Sequence, residues 1–224
     1  MCARYTLAVP DDQFQEHFEL LIPPGLSPRF NIAPSQPVAV VGLKPDGSAR
    51  GLVPMTWGFV PRWATDPRSG PRPVNAKAET VRTSPPFRDS FRDRRCLLPA
   101  TGFFEWETVG KEKVPHLFRP AAGGVMAFAG LWDVWKPKGG GDPLFTCAVL
   151  TVPANDTVRP LHDRMPAILS REHYADWLNP KAAPDAVFAL LQPADDGFLE
   201  RVRVNRAVNN SRVDTPECVQ VVGA

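Results

Sequence analysis

The chain has 224 residues, of which 26 are basic and 24 acidic, giving a formal net charge of +2, and 43% are hydrophobic. So small an excess predicts no polyanion partner from overall charge, while the hydrophobic share is sufficient for a sizeable core. No apolar run approaches the roughly 18 residues of a membrane span and no secretory signal opens the chain, so a cytoplasmic protein with no membrane contact is expected.

Residue 2 is a cysteine directly behind Met1. Its small side chain makes removal of Met1 expected, and removal leaves a free α-amine and a thiol on adjacent carbons, a 1,2-aminothiol. Asp11 to Leu21 predicts a helix with Asp11 or Asp12 as cap, Phe14, Phe18 and Leu21 at helical spacing, and Pro23-Pro24-Gly25 as its stop. Short apolar runs follow at 37–43, 52–60, 96–106, 125–135 and 144–152. Turn signals separate them, among them Pro45-Asp46-Gly47, Gly123-Gly124 and Gly139-Gly140-Gly141, so they predict strands of an antiparallel, barrel-like sheet. Helices are expected at 170–179 and across 183–191, and the alternation of 201–210 suits a strand running into a polar turn. No repeat or long linker divides the chain, and the tri-glycine reads as a hairpin loop. One α+β domain over residues 1–224 is therefore expected, mainly antiparallel and barrel-like with flanking helices.

The cysteines, Cys2, Cys96, Cys147 and Cys218, are scattered without a C-x-x-C pair or a histidine at a zinc-site interval. Neither a metal site nor another cofactor is expected, and disulfides do not suit a reducing compartment. Between Arg62 and Arg95 nine basic residues face four acidic ones, a local excess of five that suits either a solvated surface or a phosphate-binding stretch.

Four segments carry polar groups that a strand-and-turn pattern does not require. They are Cys2 with Arg4; VNAKAET at 74–80, where Asn75, Lys77 and Glu79 would share a face if extended; GFFEW, where Glu105 would alternate away from Phe104 and Trp106; and LHDRMPAIL, where His162, Asp163 and Arg164 precede an apolar run. Each has a structural explanation: an outward strand carboxylate, a satisfied histidine, a turn asparagine, an incidental terminal cysteine.

Together, however, MCARY, RFNIAP, WGFVPRW, NAKAET, GFFEW, AGLWD, HDRMP and VNNSRVDTPEC occur in an order that resembles the SRAP family of abasic-site-crosslinking proteins, first described as SOS-response-associated peptidases. The resemblance runs from Cys2 to about Val222. It implies a monomeric DNA-damage-response protein, nucleoid-associated when on DNA, that captures the aldehyde of an abasic site in single-stranded DNA. The terminal amine would form an imine and the thiol would close it to a thiazolidine. Only an N-terminal residue supplies both groups, and an α-amine, with an ordinary pKa of about 7.7 to 8.0, is substantially neutral near physiological pH.

The resemblance assigns Asn75 to positioning the terminus and sugar, Glu105 to acid/base proton transfer, and His162 to ring opening and proton shuttling. Arg4, Lys77 and Arg164 correspond to phosphate contacts. Trp63 and Phe87, beside prolines, suit stacking on flanking bases, whereas Trp57 suits the core. Two departures stand out: Ala3 replaces the usual glycine, and Lys77 replaces an arginine, keeping charge without the bidentate fork. Two other readings stay open at this point: a cysteine-type autopeptidase or hydrolase using Cys2 and His162, and a non-catalytic single-stranded DNA-binding module.

Overall fold

A computed structural model of the chain describes residues 2–21, 25–44 and 46–223. The strands are β1 (Tyr5–Leu7), β2 (Arg29–Ile32), β3 (Pro37–Leu43), β4 (Arg50–Trp57), β5 (Asn75–Lys77), β6 (Arg95–Ala100), β7 (Gly102–Val109), β8 (Glu112–Pro120), β9 (Met126–Trp135), β10 (Leu144–Pro153), β11 (Arg164–Pro166), β12 (Ile168–Leu169) and β13 (Leu199–Arg203). Among them lie the helices α1 (Asp11–Phe18), α2 (Arg88–Asp93), α3 (Tyr174–Leu178) and α4 (Pro184–Ala189). The result is mostly β, as the turn-rich apolar runs predict.

Five strands close a barrel in the order β10, β4, β3, β6, β9 and back to β10. Closure leaves these strands no free edge. All these pairings are antiparallel except β10 with β4, and β5 also joins β10 in parallel. Beside the barrel lies an antiparallel sheet in the order β13, β8, β7, β1, β2.

The apolar run 96–106 spans both layers rather than forming one strand. Its first half, β6, is buried along its whole length in the barrel. Thr101 then turns the chain, its N–H donating to the Thr6 carbonyl at 2.7 Å, and β7 continues in the second sheet beside β1. Gly102 is required there, because a Cβ would meet the Leu117 side chain at 2.6 Å and the Phe118 carbonyl at 2.9 Å. Tyr5 ties the layers together, meeting Trp57 edge-on at 5.2 Å and Phe128 at 5.9 Å.

α1 starts at Asp11 but has Pro10 as its cap residue, and neither aspartate forms the expected side-chain cap. Asp11 instead accepts the Leu26 N–H at 3.1 Å. The helix ends at Phe18, where Glu19 takes a left-handed conformation with φ 54°, so Leu21 falls outside it. Pro23 and Pro24 of the expected stop, and Pro45 of the expected β3–β4 turn, lie outside the described residues. Phe14 and Phe18 are buried, and Phe18 stacks on Tyr174 of α3. The expected helix at 170–179 is a 3-10 turn over Arg171–His173 followed by α3, and the one at 183–191 is α4.

Candidate functional site

The site begins at the residues that lead into β1. Cys2 is completely buried, and its Sγ makes a long contact, 3.9 Å, to the Arg4 carbonyl oxygen. Burial pushes the thiol well above the ordinary cysteine range, and the nearby Glu105 carboxylate pushes it further. Ala3 is exposed and is not among the residues with positive φ, so the backbone here takes a conformation open to alanine.

β5 brings Asn75 to Cys2. Ala76 and Ala78 point into the core, which turns Asn75 and Lys77 outward, while Glu79 sits in the 3-10 turn that follows. Asn75 Nδ2 donates to the Cys2 carbonyl oxygen at 2.8 Å. Its Oδ1 is buried without a protein partner and so is available as an acceptor for a bound group.

Glu105 sits in β7, buried at the base of a polar-lined cleft, and this burial raises its carboxyl above the usual carboxylate range; the charge of His162 acts in the opposite direction. His162 lies on the segment entering β11. Its Nδ1 accepts the Arg164 N–H at 2.9 Å and also lies 2.9 Å from an Asp163 carboxylate oxygen. These contacts cannot both be made well in one protonation state: neutral Nδ1 accepts from Arg164, and protonated Nδ1 donates to Asp163. A cleft of about 620 Å³ opens outward, lined by Arg4, Glu105, Trp106, Leu161, His162 and Asn209 among others. Of the four residues expected to act together, Glu105 and His162 line this cleft, the Glu105 charge acts on the buried Cys2 thiol, and Asn75 is bonded to the Cys2 backbone.

The residues expected on DNA are distributed differently. Trp63 is 62% exposed, with its ring free for stacking. Phe87 corrects the sequence expectation: at 7% exposure it packs against Phe59 at 5.1 Å and offers no face to a base. Arg4 is held by Asn31 Oδ1 at 2.7 Å and the Val208 carbonyl at 2.8 Å, and lies over the Trp106 ring. Lys77 is exposed, whereas Arg164 forms a two-pronged pair with Glu79. The basic stretch is not one solvated face either. Arg94 and Arg95 are buried, the first paired with Asp93 and Asp133, the second donating to the carbonyls of Phe91, Arg92, Trp177 and Asn179.

A second network supports the site and was not legible beforehand. Asn31, fully buried, donates to the carbonyls of Val208, Asn210 and Val213, while Asp214 accepts from Arg29 Nε and from the N–H groups of Phe30 and Asn31. Both residues stand in quoted motifs, RFNIAP and VNNSRVDTPEC, but their partners are more than 170 positions away, beyond the reach of any spacing rule.

Residues 1–211 match the family described as SOS response associated peptidase, SRAP. The chain belongs to the SRAP family. It is 37% identical to the abasic site processing protein YoqW of Bacillus subtilis (strain 168) over 225 residues, covering 98% of this chain and 99% of that one. The abasic site processing protein HMCES of Xenopus tropicalis is a more distant SRAP relative, 32% identical over 79% of this chain and 59% of its own length. The SRAP fold agrees with a solved structure of a protein from Bacteroides thetaiotaomicron, at TM-score 0.86 and 23% identity over 99% of this chain. Among the described residues no helix is long and apolar enough to cross a membrane.

Proposed function

We propose that the protein acts on abasic sites in single-stranded DNA by forming a covalent thiazolidine through Cys2. The reading is supported by the names of its relatives and carried by one observation: Asn75 fixes the backbone of Cys2, whose thiol lies within the influence of the Glu105 carboxylate, itself within that of His162. In the chain as given Cys2 is buried and its nitrogen is an amide, so removal of Met1 belongs to the proposal.

The reaction then runs in balanced steps. The neutral α-amine adds to the aldehyde carbon of the ring-opened sugar, giving a carbinolamine. Proton transfer to its hydroxyl releases one water and leaves an imine. The thiol adds across the C=N bond, the sulfur to carbon and the proton to nitrogen, closing a five-membered ring. Glu105 is the group for the proton transfers, since a carboxyl held above its usual range is better matched to donate near neutral pH. His162, whose Nδ1 lies 2.9 Å from both the Arg164 nitrogen and an Asp163 carboxylate oxygen, is the group we assign to opening the sugar ring. The burial that suppresses the thiolate favours this order, amine first and thiol second. It weighs against a hydrolase in which a Cys2 thiolate attacks first.

The test is a denaturing gel of the Met1-processed protein with single-stranded DNA carrying one abasic site. A heat-stable shifted band is expected, absent with Cys2→Ala, with an N-terminal extension, or with aldehyde-reduced DNA. No band with the unmodified protein would overturn the proposal. Turnover of a peptide by Cys2→Ser would favour the hydrolase.

A further inference from the structure

Arg164 extends from β11 across β10 toward the turn that follows β5. Its guanidinium donates to the Thr151 carbonyl at 2.6 Å and to both carboxylate oxygens of Glu79, the Nη2 to Oε2 contact being 2.9 Å. Glu79 approaches from the solvent side: its side chain is 48% exposed while that of Arg164 is 12% exposed. Lys77, outward and two residues before Glu79, adds a second positive charge acting on the same carboxylate. Arg164 thus holds the carboxylate in the fork geometry by which arginine holds either a carboxylate or a phosphate, with the Lys77 charge adding a weaker pull. Arg164 Nε is buried and has no partner in this arrangement, so the two oxygens of Glu79 leave donor capacity unused. The seat adjoins the reactive cluster, since Arg164 is two residues from His162 and Lys77 two from Asn75.

We infer that Glu79 is an internal competitor for the DNA backbone: its carboxylate occupies the place that a phosphate takes on Arg164 and Lys77, and DNA engages the site by displacing it. The inference rests on the proposed action on single-stranded DNA. Displacement releases an exposed carboxylate to water and replaces one charged acceptor by another with more oxygens. Tight binding would thereby be reserved for strands that also supply the aldehyde.

The experiment is fluorescence anisotropy with an intact, labelled single-stranded oligonucleotide at low salt, so that no adduct forms. Glu79→Gln is expected to bind about three- to fivefold tighter than the unsubstituted protein. Glu172→Gln, the same charge change at a remote exposed position, is expected to shift affinity far less, and the gain should vanish when Arg164→Gln is present as well. Glu79→Asp, which keeps the charge but shortens the reach, should also bind more tightly and guards against a folding defect in Glu79→Gln. Equal or weaker binding by a folded Glu79 variant overturns the inference, as does a gain that Glu172→Gln reproduces or that survives loss of Arg164. So does loss of the fold in both Glu79 variants, which would make the pair structural. Adduct formation on abasic DNA is read separately, so failure of the chemistry and failure of the competition are distinct results.

Discussion

Asn75 Nδ2 donates to the carbonyl oxygen of Cys2 at 2.8 Å, a bond that joins residues 73 positions apart and aims the first residue of the proposed chemistry. Asn75→Ala removes it without opening the core. The rate of adduct formation is expected to fall roughly tenfold or more, from the lost bond and the lost orientation together, with little change in melting temperature. A gel time course beside a thermal melt measures both.

Glu105→Gln should separate catalysis from stability. Burial raises the Glu105 carboxyl in the folded protein, so the folded state binds its proton more tightly than the unfolded chain does. The associated loss of stability is absent below the ordinary carboxylate pKa of about 4.3, grows as pH rises from there, and is complete once pH has passed through the elevated folded value. Glu105→Gln is therefore expected to melt higher than the parent at pH 7 and about equally at pH 4, while forming the adduct more slowly. Equal melting curves at both pH values would contradict the buried-carboxyl assignment.

Asn31→Ala should act through the fold. It deletes three donations to backbone carbonyls from a fully buried site and the acceptor that holds Arg4. A loss of about 3 kcal/mol is expected. Limited proteolysis should then cut first within 205–219, the segment these bonds secure.

Trp63 and Phe87 make a contrasting pair. Trp63→Ala is expected to lower affinity for single-stranded DNA by about 1–3 kcal/mol with an unchanged melt, because the ring is exposed. Phe87→Ala should instead destabilise the protein by about 3–5 kcal/mol, because it empties a buried site. Anisotropy and thermal melts on both variants give the comparison.

Gly102→Ala should lower stability by about 1–3 kcal/mol, since the added carbon meets the Phe118 backbone at 2.9 Å and β7 cannot move away without leaving β8. A melting curve gives this directly.

Much of the barrel was legible because its strands alternate or run continuously apolar between strong turn signals: 37–43 is β3, and 125–135 and 144–152 match β9 and β10 to within one residue. The split of 96–106 was hidden, since both halves are apolar and only the tertiary turn at Thr101 distinguishes them. β1 and β2 are short and get their order from pairing rather than from pattern. Cys2, Asn75, Glu105 and His162 stand in ordered motifs, so their candidacy was legible in the sequence. What the arginines do was not, because charge along a sequence does not reveal whether a guanidinium meets solvent, as Arg68 does, or backbone carbonyls, as Arg95 does.

The bond from Arg4 to the carbonyl of Val208 spans 204 residues of chain. The backbone of β1 is held by β2 and β7, but the Arg4 side chain just before it depends on a carbonyl from near the far end of the sequence. A chain that ends before residue 208 contains Cys2, Asn75, Glu105 and His162 but lacks the carbonyl that holds Arg4. The segment around Val208 thus sets where Arg4 stands on the wall of the cleft.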